Sequence, residues 1–404
     1  MKSKVYFTKV NTKTVNERVP ALKKVADAAG PFDVLQKDEI VPVKLTVGDT
    51  DCAYNIRPEY AKFICSEISS KQAKPFIFDT NVIYKGSRQN AVDHLSLADR
   101  KGLGYTHVGA PFIIADGVLG QDGKELSIDS KFIKKVKTPS FVGMLDSLFV
   151  LTHVTGHILS AYAGSIKNVG MGMSCRASKQ VQHSSVKPRV IQKNCTACGC
   201  CIAVCPASAI GLKDSKAYIE SKLCIGCGEC LCACKFDAIM VNWKEDAPVF
   251  CNRMVDAAGA ILSKFKNRCF INFAFEITKE CDCISSDKDQ IISDDIGIFM
   301  SNDIVSIEKA TVDIINKKED LFLKAQGNDY YHKMLEYAAD RGLGNLAYEL
   351  IEIYAINRFI LSYSIFFLTY HTLYDKIRTQ FDNIVIIFDE IMCPHSSAGR
   401  AGHS

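Results

Sequence analysis

The first 160 residues alternate short apolar runs with stretches of helical periodicity. VYFTKV (5–10), VPVKLTVG (41–48), PFIFDTN (75–81) and APFIIADG (110–117) have the length and β-branched or aromatic content of strands. Between them, NERVPALKKVADAAG (16–30), RPEYAKFICSEISS (57–70) and NAVDHLSLADRKG (90–102) repeat apolar residues at helical spacing. Gly30 is suited to stop the first helix. SLFVLTHV (147–154) predicts a further buried strand. Such alternation predicts βαβ units and a largely parallel sheet.

The alternation stops near Lys187-Pro188 and resumes after about Trp243. DAAGAILSKF (256–265) and DIVSIEKATVDIIN (303–316) then predict helices, and CFINFAF (269–275) and IGIFMS (296–301) predict strands. The expected organisation is an α/β body in two parts, 1–187 and 246–354, with a small segment, 188–245, inserted between them, and a C-terminal tail, 355–404. The tail holds an uncharged run at 359–374, short of the ~20 residues that span a bilayer. Packing against the body is the expectation for that run, and a membrane role is disfavoured.

The chain has 404 residues, 48% of them hydrophobic, enough to bury a sizeable core. Its 49 basic and 45 acidic residues are too balanced to point to nucleic acid. The N-terminal stretch MKSKVYFTKVNTKTV lacks an apolar core of signal-peptide length, so a cytoplasmic, reducing compartment is expected. There are 18 cysteines, ten of them between Cys195 and Cys234. In a reducing compartment such crowding points to metal rather than to disulfides.

Those cysteines form a repeat. CTACGCCIAVCPASAI begins at Cys195, and CIGCGECLCACKFDAI begins 29 residues later at Cys224. Each has C-x₂-C-x₂-C-x₃-C spacing, a glycine after the second cysteine and a terminal Ala-Ile. Three closely spaced thiolates can wrap three corners of a [4Fe–4S] cube, while the fourth, on a following helix, ligates the other cube. Two clusters are therefore expected, one on Cys195, Cys198, Cys201 and Cys234, the other on Cys224, Cys227, Cys230 and Cys205. Cys200 and Cys232 fall between ligand positions and are expected as free thiols. Cys205 precedes Pro206, but Cys234 precedes Lys235, a departure at that corner. Paired zinc sites are the alternative, yet zinc ribbons favour C-x₂-C pairs with long spacers. The segment is thus expected to be a small α+β, two-cluster ferredoxin-like domain.

Roughly 340 residues lie outside this segment, more than electron storage needs. Three constellations there could carry chemistry. LTHVTGHILSAYAGSIKNVGMG (151–172) offers His153, His157, Lys167 and Asn168 in an expected strand end and Gly-rich loop. HVTGH lacks the glutamate of a zinc-protease helix, and Gly156 argues for a loop. Core or capping histidines would also fit the pattern. His183 is a weaker candidate. KECDCISSD (279–287) places Cys281 and Cys283 as C-x-C, which could chelate a soft metal, form a redox pair, or be inert. FDTNVIYKGSRQNAVDH (78–94) follows a predicted strand end, so Asp79, Asn81, Arg88 and Asn90 are placed where open α/β sheets bind ligands.

YNIRPEYAK, FDTNVIYKGSRQNAVDH, GAPFIIADGVLG, THVTGH, IKNVGMG, ECDC and DIGIFMSND together resemble the uncharacterised iron–sulfur-centre proteins grouped as domain-of-unknown-function family three-six-two. The resemblance runs over roughly 1–353. It implies an α/β body with an embedded ferredoxin module, and no particular reaction. It places His153, His157, Lys167, Asn168, Cys281, Cys283 and Asp303 on family motif positions. ISSDKDQIISDD (284–295) departs from the proline-containing pattern of the family.

The leading expectation is an oxidoreductase whose two clusters relay electrons to a second redox or ligand site in the α/β body. Its partner would be a redox protein or a small-molecule acceptor. The competing expectations are a non-enzymatic carrier or docking subunit, and a metal- or cluster-handling protein. No G-x-G-x-x-G or P-loop motif is present, so a Rossmann dinucleotide site is not expected.

Overall fold

A computed structural model describes residues 2–10, 14–84, 86–183, 188–224, 228–236, 238–240, 247–283 and 288–354. The chain divides into two units, Met1–Ile353 and Tyr354–Ser404. The apolar run at 359–374 lies outside the described residues. Among the described residues no helix is long and apolar enough to cross a membrane.

Eight strands form one sheet: β1 (Ser3–Lys9), β2 (Ile40–Lys44), β3 (Lys74–Asp79), β4 (Phe112–Ile114), β5 (Ser147–His153), β6 (Asn267–Ala274), β7 (Gly297–Ser301) and β8 (Tyr348–Glu352). Their order is β8-β1-β7-β6-β5-β2-β3-β4. Only β7 runs against its neighbours, β1 and β6; the other adjacent pairs are parallel. The fold is α/β with a mostly parallel mixed sheet, as the alternation of runs predicts.

Helices cover both faces, so the parallel strands must be apolar on both sides. The helices are α1 (Val15–Ala29), α2 (Pro58–Ser70), α3 (Ala91–Arg100), α4 (Ser165–Gly170), α5 (Arg176–His183), α6 (Ala247–Leu262), α7 (Ile304–Ile315) and α8 (Tyr330–Asp340). On one face Phe149 and Leu151 of β5 pack with Leu22 of α1, Ile64 of α2 and Leu97 of α3. On the other, Leu148 and Val150 pack with Val169 of α4, Met254 of α6 and Leu335 of α8. This is the period-2 alternation of a strand buried on both sides. Each such fully buried side chain stabilises the fold by about 1.5–3 kcal/mol.

The element ends follow local chemistry. Gly30 closes α1 in the left-handed region at φ 63°. Pro58 occupies the first turn of α2, where its missing N–H costs nothing. Asn90 caps α3 by accepting from Asp93 N at 3.0 Å. Asp303 caps α7, accepting from Val305 N and Ser306 N at 2.9 Å each.

Three expectations need correction. Gly156 is not in a loop: it lies in a three-residue strand, Thr155–His157, paired with Ala161–Ala163. Its reason for being glycine is contact, since a Cβ there would meet Lys279 O at 2.1 Å. Lys167 and Asn168 lie on α4, not in a Gly-rich loop. The helix expected at 256–265 begins earlier, at Ala247, with Pro248 in its first turn.

Candidate functional site

The carboxyl ends of β2, β3 and β5 open on a cavity of about 380 Å³. After β2 the chain builds β3 and β4 on one side, then crosses to place β5 on β2's other side. The cavity therefore sits at a topological switch point, where two connections leave in opposite directions and leave a crevice.

Its floor is polar and buried. Lys44 Nζ donates to Asp79 Oδ1 at 3.0 Å, Asn168 Oδ1 at 2.8 Å and Leu45 O at 2.6 Å. Burial pushes the Lys44 pKa down against the pull of Asp79. Burial also opposes the Asp79 charge, but Lys44 and the neighbouring His94 outweigh it and hold the carboxyl below the usual range. His94 Nε2 stands 3.5 Å from Asp79 Oδ2, a contact without hydrogen-bond geometry. Asn168 Nδ2 donates to Leu151 O at 2.9 Å and Thr152 Oγ1 at 3.0 Å, so Asn168 braces α4 against β2 and β5.

The two histidines of HVTGH have separate partners. His153 Nδ1 lies 2.8 Å from Asp282 Oδ1 and its Nε2 lies 2.9 Å from Phe275 O. With an acceptor at each nitrogen, the ring is an imidazolium. Burial opposes that charge, but Asp282 and the Phe275 carbonyl outweigh it and raise the pKa. His157 Nδ1 instead accepts backbone N–H groups of Ser160 at 3.2 Å and Leu159 at 3.3 Å. Burial and nearby Lys167 push its pKa well below the ordinary value, so it is neutral.

One wall is built around sulfur. Lys167 Nζ lies 3.7 Å from Cys283 Sγ. Cys281 is buried, Cys283 is partly exposed, and both thiols are free. The Cys281 thiol donates to Cys283, which lowers the Cys283 pKa; burial works against this, and the Lys167 and Arg88 charges and the Tyr84 hydroxyl add to it. Cys281 moves the other way, well above its ordinary value. Arg88 in turn donates to the Tyr84 hydroxyl. Four donors and charges (Cys281, Lys167, Arg88 and Tyr84) thus favour the thiolate form of Cys283.

The opposite wall comes from α5. Lys179 Nζ donates to Thr80 Oγ1 at 2.6 Å and to Asn81 O. Burial brings its pKa down to about 8. His183 is pushed down to about 4 by burial and by Lys167. Asn81 N and Nδ2 donate to Asp116 Oδ1 at 2.9 and 3.0 Å, and burial still lifts the Asp116 carboxyl to about 6.

Of the residues singled out from sequence, Asp79, Arg88, His153, His157, Lys167, Asn168, His183, Cys281 and Cys283 line this one cavity. Asn81 stands behind it. Asn90 does not belong to it and serves as the cap of α3. Asp303 lies at the opposite end of the strands, because β7 is antiparallel; there it accepts from Ser3 Oγ at 2.7 Å and Asn345 N at 2.9 Å.

The cysteine segment is separate and small. It holds a hairpin, Ile210–Lys213 with Lys216–Ile219, and its ends are tied by Arg189–Val190 with Ile239–Met240. Cys195, Cys198, Cys201 and Cys234 line one pocket. Gly199 and Gly228 adopt the same left-handed conformation, φ 76° and 77°, before the short helices Cys200–Ala203 and Glu229–Ala233. Ala209 N donates to Cys205 Sγ at 3.2 Å, and Ala238 N donates to Cys234 Sγ at 3.2 Å. Cys205 and Cys234 lie just beyond those helices rather than on them. The backbone N–H of Cys200, and after it the Cys200 thiol, donate to Cys198 and lower its pKa; Cys200 makes no disulfide. Cys227 and the side chain of Cys232 lie outside the described residues. Among the described residues no group of three or more His, Cys, Asp or Glu side chains is set to hold a single metal ion.

Residues 41–313 match the family described as Domain of unknown function (DUF362). The chain belongs to this family. The DUF362 match spans the cavity, the cysteine segment and both parts of the body. A crystal structure of a Thermotoga maritima protein is similar at 10% identity and a TM-score of 0.38, over 82% of this chain and 60% of that one. Lactate racemase apoprotein from Thermoanaerobacterium thermosaccharolyticum is similar at 13% identity and a TM-score of 0.36, over 67% and 50%. This DUF362 chain thus spans between half and two thirds of the length of those structures. No curated protein matches it.

Sequence reasoning missed Lys44, Tyr84, His94 and Lys179 in the DUF362 site. Lys44 had a signal: a lysine inside the apolar run VPVKLTV is buried only when paired. Lys179 had none, because RASKQVQH is too polar to read as a buried helix, yet Ser178, Lys179, Gln180 and Gln182 are all buried.

Proposed function

We propose that this chain is an iron–sulfur protein that binds two [4Fe–4S] clusters in residues 188–245 and relays electrons to a ligand in the cavity of the α/β body. The observation that carries this reading is the repeated C-x₂-C-x₂-C-x₃-C motif, whose four cysteines from two motif copies (Cys195, Cys198, Cys201 and Cys234) surround one pocket. Cys224, Cys227, Cys230 and Cys205 would hold the second cluster. When bound, such clusters supply one-electron transfer.

The donor set fits the group. Its members are all thiols, and no histidine or carboxylate intrudes on the first pocket. Cys195 Sγ accepts from Ala217 N at 3.2 Å, adding to the bonds on Cys205 and Cys234. Backbone donors of this kind stabilise thiolates and tune cluster potential. Lys235 stands where the first motif copy has Pro206, yet Ala238 N reaches Cys234 Sγ at the distance at which Ala209 N reaches Cys205 Sγ, in keeping with equivalent fourth corners. Ile210 and Ile239, at matching places in the repeat, are buried and would exclude water.

A second site in the body is favoured over a bare docking scaffold by the cavity itself. Buried charges with displaced pKa values at a crevice mark a functional site more often than a packing surface. Lys167 and Arg88 bring positive charge to it, Cys283 a thiolate, and His153 an oriented imidazolium.

The test is anaerobic purification with iron, sulfide and zinc analysis and electron paramagnetic resonance after reduction. About eight iron and eight labile sulfides per chain are expected, as two four-iron clusters require. Four iron per chain, or stoichiometric zinc, would overturn the two-cluster assignment.

A further inference from the structure

We infer that Cys281 and Cys283 form a redox-active dithiol that exchanges with small anionic disulfides entering the cavity. This does not rest on the clusters; it rests on where the two sulfurs lie and on what surrounds them.

Four observations converge. The two cysteines are one residue apart in a turn at the cavity, and one thiol donates to the other's sulfur. Cys283 is the more exposed of the two, so it meets the solvent-borne partner first. Lys167 Nζ stands 3.7 Å from Cys283 Sγ and favours its anionic form, the one that attacks. Finally, the cavity favours an anion. Lys167, Arg88 and Lys179 face it, the two carboxylates that also line it are already paired (Asp79 with Lys44, Asp282 with His153), and Arg88 Nε is buried without a hydrogen-bond partner.

The chemistry balances without a further reagent. The Cys283 thiolate attacks one sulfur of the small disulfide. A Cys283–ligand S–S bond forms, the ligand's own S–S bond breaks, and one ligand thiolate leaves and takes a proton from solvent. Cys281 then attacks Cys283 Sγ. The Cys281–Cys283 bond forms, the mixed disulfide breaks, and the Cys281 proton goes to the second departing thiolate. The dithiol loses two electrons and the ligand disulfide gains two. Excess small thiol reverses both steps.

Dithiodipropionate, a small dicarboxylate disulfide, is the probe, with hydroxyethyl disulfide as the uncharged control. The full chain is treated without oxygen, quenched in acid and read peptide by peptide by mass spectrometry. The wild type is expected to yield a Cys281–Cys283 disulfide, faster with the dicarboxylate. C281S is expected to stop at a mixed disulfide on Cys283, and C283S to react at neither position. A parallel iodoacetamide series is expected to label Cys283 with a pH midpoint below that of an ordinary thiol, and K167M to raise that midpoint and slow the labelling at the acid end by about tenfold. The inference is overturned if Cys281 reacts as fast in C283S as Cys283 does in C281S, or if Cys283 labelling falls with pH like an ordinary thiol. Iron analysis of the same samples separates the two ideas: absent clusters sink the electron-transfer reading, while the thiol result stands by itself.

Discussion

At the residue scale, the cavity depends on charges that are buried and paired. Lys44 is fully buried and gives all three of its N–H bonds to Asp79, Asn168 and Leu45. Removing one partner of a buried pair leaves the other charge uncompensated, at about 3–5 kcal/mol. Lys44→Met is therefore expected to lower the denaturant-unfolding free energy by about 3 kcal/mol, and Lys44→Met with Asp79→Asn to lose less than the sum of the two single changes. His153 gives a pH effect of known sign. Its folded pKa is raised above the ordinary 6.5. The stability it contributes is fully present below the unfolded value and is lost as pH rises through the folded one. Glu308, lifted to about 7 by burial, slopes the same way over a lower range, so the contribution of His153 is isolated by difference. Denaturation midpoints between about pH 5 and pH 9 are expected to fall less with rising pH in Asp282→Asn than in the wild type. Equal slopes would place the titration elsewhere. Most of the ionisable residues that line this cavity were legible because their types are unusual for where they sit: histidines and a lysine among glycines, and two cysteines one residue apart. Asn90 and Asp303 show the limit. A polar residue just before a helix can serve a ligand or a cap, and only the fold tells which.

At the element scale, periodicity located the strands and helices that are apolar on their buried faces. It did not find β8, whose YELIE alternates weakly because it is a charged edge strand paired only with β1. Nor did it find α5, whose buried face is polar because it faces a cavity instead of a core. The hairpin Thr155–His157/Ala161–Ala163 was hidden by Gly156, which suggested a loop. Its glycine is required by the approach of the segment that carries Cys281. Gly156 N donates to Thr278 O at 2.8 Å, and a Cβ would lie 2.1 Å from Lys279 O and 3.1 Å from Gln326 Nε2. The Lys279 backbone cannot yield cheaply. Gly156→Ala is expected to destabilise by about 2 kcal/mol, within the range for overpacking. Because the displaced strand leads to Cys281, the same variant is expected to raise the pH midpoint of Cys283 alkylation. A variant with lowered stability but an unchanged Cys283 profile would show that the hairpin and the dithiol are not mechanically linked.

At the scale of the whole molecule, the body and the cysteine segment differ in how they are held. The body has two large apolar clusters, one on each face of the sheet. The segment's own cluster consists of Cys195, Cys201, Ile210, Ala217, Cys230, Cys234, Ala238 and Ile239, so half its buried members are proposed ligands. A core that small supplies little stability by itself, and metal binding then becomes folding free energy. The body's integrity does not run through the segment. β5 precedes it and β6 follows it, yet they pair in parallel over seven residues, from Ser147 with Asn267 to His153 with Phe273. Removal of iron by oxidation and chelation is therefore expected to open residues 188–245 to proteolysis while the described parts of the body stay protected. Cleavage should give two fragments, ending and beginning within that segment, that co-elute on gel filtration and keep the cooperative unfolding of the body. Reconstitution with iron and sulfide before protease addition should restore resistance, since a ligand bound only by the folded form shifts the opening equilibrium by mass action. A segment equally resistant with and without iron would mean that its eight-residue core suffices, and would leave the clusters without a structural role.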